Sequence, residues 1–173
     1  MSCAAPKPST RIDAQMKLAE TLVRELSERK MTCATAESCT GGGVGSAITD
    51  VAGSSAAFWG GVISYDNSVK RNVLGVPQEV LETKGAVSAE CAEAMACGVR
   101  RLLKTDLAVS VTGIAGPGGG SADKPVGLVW FGLATAHGVK TERRVFQGDR
   151  AAIRAAAIDH ALRLLLRGTD MDV

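Results

Sequence analysis

Residues 32–49 read TCATAESCTGGGVGSAIT, and this stretch decides the fold. Thr32 to Ala36 reads as a short strand. It runs into a turn of small residues, and Gly42 to Thr49 then reads as a helix. Strand, Gly-rich turn, helix is the building unit of α/β proteins. On the N-terminal side, Ile12, Met16, Ala19, Leu22, Val23 and Leu26 recur at helical spacing and predict a helix from Thr10 to Lys30. Thr10 followed by Asp13 resembles a capping box, with Asp in place of Glu.

On the C-terminal side, Phe58 to Tyr65 reads as a second strand. Asn67 is placed to cap a short helix carrying Lys70, Val73 and Leu74, which Gly75 ends. Pro77 opens another helical turn, where its missing N–H does no harm. Ser88 caps a helix running to Leu103, with Cys91, Met95, Val99 and Leu102 facing inward. Leu107 to Val111 is a compact apolar strand. Gly127 to Ala136 and Val139 to Gln147 are strands joined by a hairpin turn at His137-Gly138. Asp149 caps a last helix with Ile153, Ala157, Ile158, Ala161, Leu162 and Leu165 on its apolar face. Helices interleaved with short buried strands, plus one late antiparallel hairpin, predict an α/β domain with a mixed sheet covered on both faces.

The 173 residues fit one domain with one core. The expected division is a tail over 1–9, a domain over 10–168 and a tail over 169–173. Hydrophobic residues make up 46% and aromatics only 3%, so the core must be aliphatic. Net charge is +2, with basic residues scattered among acidic ones. There is no basic stripe with stacking aromatics, which argues against a nucleic-acid partner. Pairs such as Arg100-Arg101 and Arg143-Arg144 read as solvated helix faces. The five cysteines are odd in number and form no CxxC pair, arguing against both a disulfide framework and a zinc site. No leader and no run of about 18 apolar residues appears, so no membrane contact and a cytoplasmic location are expected. The two histidines, His137 and His160, lack metal-ligand or triad spacing and read as solvated.

Four constellations can carry chemistry. Ser38 precedes Thr40, Gly41 and Gly42 at the mouth of a helix, where unpaired N–H groups can hold a phosphate or an oxyanion. Ser38 there is a nucleophile, a phosphate ligand or simply a helix cap. Cys39 beside it is the better nucleophile in water, but neighbours in an extended turn point opposite ways, and a buried small residue is the simpler reading. Tyr65-Asp66-Asn67-Ser68-Val69-Lys70 places Lys70 where it is either a surface lysine or, if desolvated, a base. Thr112 and the loop Gly113 to Gly120 follow a buried strand and lack the P-loop pattern; the loop either contacts a ligand or is a flexible turn. Arg150, in a first helical turn, opposes the helix dipole and hints at an anionic partner.

Together these segments resemble the C-terminal domain of the competence/damage-inducible CinA family, whose stand-alone members are nicotinamide mononucleotide deamidases. The matching stretches are Ala36–Gly42 (AESCTGG), Ile48–Ser55 (ITDVAGSS), Tyr65–Lys70 (YDNSVK), Gly85–Ser88 (GAVS), Gly113–Pro117 (GIAGP), Lys124–Trp130 (KPVGLVW) and Gly148–Arg150 (GDR). They span roughly residues 10 to 168. Gly118-Gly119-Gly120 departs from relatives, which often carry a polar residue after the proline.

The resemblance implies a three-layer α/β/α sandwich and a serine–lysine amidohydrolase. It implies Ser38 as nucleophile, Lys70 as general base and Tyr65 in the same pocket, with no metal or organic cofactor. Backbone N–H groups of Thr40, Gly41 and Gly42 are the expected oxyanion donors. Asn67, Thr112, Gly113, Gly116 and Arg150 are the further expected contacts to nicotinamide mononucleotide. Many family members carry an additional N-terminal domain for which this chain has no room, which favours the stand-alone enzyme. Apolar helix faces point to a homodimer or higher homo-oligomer. The other reading is a non-catalytic nucleotide- or protein-binding module, and a third is an amidase for another carboxamide.

Overall fold

The chain runs α1 (Pro8–Glu28), β1 (Cys33–Glu37), α2 (Gly43–Thr49), β2 (Phe58–Ile63), α3 (Asn67–Asn72), α4 (Gln78–Thr83), α5 (Ala89–Leu103), β3 (Leu107–Gly113), β4 (Leu128–Thr135), β5 (Gly138–Val145) and α6 (Arg150–Gly168) in a computed structural model that describes residues 8–171. One sheet holds the strands in the order β2-β1-β3-β4-β5. β1 pairs parallel with β2 and β3, whereas β4 pairs antiparallel with β3 and β5. The sheet is therefore mixed, and helices cover both faces, making the expected α/β/α sandwich.

Side-chain alternation sorts the two layers. Cys33, Val109, Val111, Val129, Phe131 and Leu133 point to the layer of α1, α2 and α6. Ala34, Ala36, Ala108 and Ala134 point to the layer of α5. That second face is small by composition, so α5 lies close to it. A Cβ on Gly132 would stand 2.5 Å from the Ala92 carbonyl of α5, and the Ser110 hydroxyl donates to that same carbonyl. β1 is buried along its whole length, which explains why residues 33–37 carry no solvent-facing alternation.

Several expectations shift. α1 begins at Pro8, so the Thr10–Asp13 signature sits inside the helix rather than capping it; residues 1–7 of the expected tail lie outside the described residues. The cap of α3 is Asp66, whose carboxylate accepts from the Ser68 N–H at 2.8 Å, one residue ahead of Asn67. Ser88 and Asp149 cap α5 and α6 as expected. β2 ends at Ile63, so Tyr65 stands beyond the strand. Thr135 pairs with Gly138, which makes Ala136 and His137 the hairpin turn. Ile12 and Leu102, expected on apolar faces, are exposed. His160 is not solvated: it packs edge-on against Phe131 at 4.6 Å and bonds Glu142 at 3.0 Å. No helix among the described residues is long and apolar enough to cross a membrane.

Candidate active site

The parallel strands β1 and β2 end level with one another, Glu37 opposite Ile63, and β3 runs two residues past Val111, the other partner of Glu37. The residues after β1 and β2 and the end of β3 carry Ser38, Ser64-Tyr65 and Thr112-Gly113 to one edge of the sheet. In open α/β sheets this carboxyl edge is where ligands bind. A cavity of about 300 Å³ opens there. Ser38, Tyr65, Asn67, Lys70, Thr112, Gly113, Gly116 and Arg150 all line it.

Lys70 is the least expected side chain in the protein. It lies on the short helix α3 yet is only 1% exposed. Its Nζ stands 3.1 Å from Ser38 Oγ, 2.6 Å from the Ser64 carbonyl and 3.1 Å from the Tyr65 carbonyl. As an ammonium it donates to all three. As a neutral amine it has two N–H groups for the two carbonyls, which accept only, and its lone pair then faces the Ser38 hydroxyl. Burial disfavours the charged form and pulls its pKa below the ordinary lysine value. The sequence leaves open a surface lysine or a desolvated one; the lysine is desolvated.

Ser38 begins a tight turn in which the Gly41 N–H donates to the Ser38 carbonyl at 3.1 Å. Gly41 and Gly42 follow with φ of 59° and 95°, left-handed values that side chains resist. The next helix is capped by Glu37. Its buried carboxylate accepts from the N–H groups of Gly42 and Val44 at 3.0 Å and of Gly45 at 2.9 Å. This corrects the expected oxyanion donors: Gly41 and Gly42 have committed their N–H groups, and neither they nor Thr40 line the cavity. Among the described residues the Thr40 N–H has no acceptor.

Arg150 spans the mouth, donating to the Gly116 carbonyl at 2.8 Å and to the Tyr65 hydroxyl at 3.2 Å. The Thr112 hydroxyl donates to the Ala86 carbonyl at 2.8 Å, tying β3 to the segment before α5. Cys39 also borders the cavity while being buried against the core, and burial pushes its thiol up to about 11, so it is no thiolate near neutrality. Cys33 and Cys91 are raised in the same way, to about 12 and about 11. Sequence reasoning missed Glu37 and also Arg154, whose guanidinium bonds the Cys39 and Thr40 carbonyls. The spacing of Arg154 from Arg150 on α6, one helical turn, was the available signal.

With this geometry, comparison with known proteins places the chain. Residues 15–169 match the CinA C-terminal domain, and the chain belongs to that family. It is 49% identical over 151 residues to the nicotinamide-nucleotide amidohydrolase PncC of Escherichia coli K12, covering 87% of this chain and 92% of that protein. A CinA-like protein of Synechococcus is 52% identical over 151 residues; the match takes in 86% of this chain but only 36% of that longer protein. Among solved structures, the competence/damage inducible protein CihA of Agrobacterium tumefaciens superimposes with a TM-score of 0.86 at 41% identity, over 96% of this chain and 98% of that one. A CinA-superfamily protein of Klebsiella pneumoniae gives 0.87 at 35% identity, over 91% and 98%.

Proposed function

We propose that this protein is an amidohydrolase that converts nicotinamide mononucleotide and water to nicotinic acid mononucleotide and ammonia. The observation that carries the reading is the buried Lys70 amine 3.1 Å from Ser38 Oγ, with carbonyls at its other two contacts. Likeness over nearly the full length of a nicotinamide-nucleotide amidohydrolase supports the substrate.

Ser38 Oγ attacks the carboxamide carbon while its proton passes to neutral Lys70 Nζ. The tetrahedral intermediate collapses, the C–N bond breaks, and Lys70 returns the proton to the departing ammonia. A water then attacks the Ser38 ester, again losing a proton to Lys70, which restores the serine hydroxyl as the carboxylate leaves. The chain's own side chains supply each proton transfer. Arg150, at the cavity mouth, meets the substrate phosphate, and Tyr65 and Asn67 border the ring and ribose. Free thiols at Cys33, Cys39, Cys91 and Cys97 suit a reducing compartment, and we assign the activity to the cytoplasm.

The test is ammonia release from nicotinamide mononucleotide and from free nicotinamide. Ser38→Ala and Lys70→Ala are each expected to lower kcat by at least 10³-fold, in the range for removing a nucleophile or its base, without loss of fold. Near-normal turnover by Ser38→Ala refutes the mechanism. No turnover of any carboxamide by the unaltered chain favours a binding module instead.

A further inference from the structure

Residues 114–127 leave β3, border the cavity and return to β4. The loop is shut at its base, where the Ile114 N–H donates to the Leu128 carbonyl and the Gly127 N–H to the Ile114 carbonyl, both at 2.8 Å. Ile114, Gly116, Gly118 and Gly119 of this loop line the cavity, as do Ala86 and Val87 of the segment between α4 and α5. One side chain joins the two walls: Lys124 Nζ donates to the Lys84 carbonyl at 2.6 Å. We propose that Lys124 is a positioning residue, a strap that holds the loop to the α4–α5 segment and so keeps these two walls of the substrate cavity together. The inference rests on the amide hydrolysis proposed above.

A tie at one residue can set a whole wall only if the loop is stiff. A Cβ on Gly116 would stand 2.5 Å from Val126 Cγ1, and one on Gly120 would stand 2.8 Å from the Val126 nitrogen, so the outgoing and returning arms lie in contact. The tip is closed in both directions. The Ser121 N–H donates to the Lys124 carbonyl at 2.8 Å, and the Lys124 N–H donates to the Ser121 hydroxyl at 3.1 Å. The Lys124 backbone is part of that closed tip, so a force on its side chain acts on the loop. At the base, Ala115 is buried and Val126 packs against the same core. Residues 117–123 are exposed, so burial does not hold them in place.

The receiving side suits an ammonium. Gly85 has a φ of 80°, the left-handed value common just past a helix end, and a Cβ there would stand 3.2 Å from Lys124 Nζ. Lys84 is the C-cap of α4, where the backbone carries negative partial charge and favours a cation. Among the described residues no other hydrogen bond joins residues 114–127 to residues 84–88, so the strap is a single bond. The loop's other side-chain tie is Arg150 to the Gly116 carbonyl, and Arg150 is also the group assigned to the substrate phosphate. Lys124 itself does not line the cavity, so it acts on the substrate through the loop.

The experiment uses the full chain with Lys124→Met, which keeps the stem and loses the donor, and Lys124→Arg, which keeps a cationic donor. Ammonia release from nicotinamide mononucleotide gives kcat and KM separately, thermal melting reports the fold, and hydrogen exchange reports the loop amides. A hydrogen bond from a charged donor is worth on the order of tenfold or more in an equilibrium, and a half-buried one sits at the low end. Lys124→Met is therefore expected to raise KM about 10-fold and to leave kcat within about threefold, since Ser38 and Lys70 are untouched. Lys124→Arg recovers most of the loss. Amides of residues 116–123 exchange faster in Lys124→Met while those of α1 and α6 do not change, a pattern that general destabilisation would not give. If Lys124→Met does not fold, Lys124→Gln takes its place. A folded variant with KM within roughly twofold of the unaltered chain overturns the proposal, as does a loss confined to kcat or unchanged exchange over 116–123. An unaltered chain that releases no ammonia overturns instead the functional reading beneath it, and the exchange measurement then tests the strap by itself.

Discussion

Glu37→Ala should damage this protein more than any other single loss of a carboxylate. Three backbone N–H groups, of Gly42, Val44 and Gly45, lose their acceptor at once. An unpaired buried donor costs about 1–3 kcal/mol. Val44 is fully buried, while Gly42 and Gly45 are half-buried and can admit water. Relief of a buried carboxylate offsets part of the loss. The balance comes to roughly 3–5 kcal/mol, a large part of the stability of an ordinary domain. At about 2–4 °C per kcal/mol for a chain this size, melting should fall by roughly 6–20 °C. Glu37→Gln keeps one acceptor oxygen and should lose about half as much. Urea unfolding followed by circular dichroism gives the free energies, and ammonia release at a temperature where both variants are folded gives the activity. Because the same carboxylate fixes the turn behind Ser38, kcat should fall at least 10-fold in the folded Ala variant. A Glu37→Ala protein within about 1 kcal/mol of the unaltered chain would refute the reasoning.

Two further predictions concern the groups around Ser38. Burial holds the Cys39 thiol near 11, so iodoacetamide at neutral pH should not inactivate the protein, and Cys39→Ala should keep kcat within a few-fold; rapid inactivation traced to Cys39 would contradict this. Lys70 binds its proton less tightly folded than unfolded, so the unfolded state carries more protons between the folded pKa and about 10.4, the ordinary lysine value. Stability should therefore rise with pH through that window, and kcat/KM should rise with a midpoint below 10.4. Lys70→Met should abolish that part of the slope in melting temperature, and an unchanged slope would count against the buried amine as its source.

Much of the fold was legible because period and punctuation agreed. The apolar spacing of Cys91, Met95 and Val99, with Ser88 ahead of them, marks α5 and its cap together, and both formed. Boundaries slipped where two residues compete for one role, as Asp66 and Asn67 do at the start of α3. In the site, Ser38, Tyr65, Lys70 and Arg150 could be named from motifs, but separations such as the 85 residues between Tyr65 and Arg150 left their meeting to the topology. Glu37 and Arg154 stayed hidden for a different reason. Each acts on backbone atoms, and hydrogen bonds to backbone leave no complementary residue type elsewhere in the sequence. The three expected N–H donors failed in part because spacing shows that a donor exists, while only coordinates show that Glu37 or Ser38 already uses it.

The choice between Ser38 and its neighbour Cys39 comes down to the register of β1. Odd residues of that strand face the α2 and α6 layer, where Cys33 and Cys39 are buried. Even residues face the α5 layer, where Ala34 and Ala36 pack. The alternation carries past the strand's end at Glu37: Ser38 meets Lys70, while Cys39, at the edge of the cavity, is buried against the core. A one-residue slip would exchange every side chain between the faces and bring the thiol to the amine. Parallel pairing on both sides prevents it, since β1 is pinned by β2 at one edge and by β3 at the other. The intrinsically stronger nucleophile is thereby kept protonated in the core. The weaker one is given the only buried lysine among the described residues. On the mechanism proposed, nucleophile selection is a property of the sheet before it is a property of the side chains.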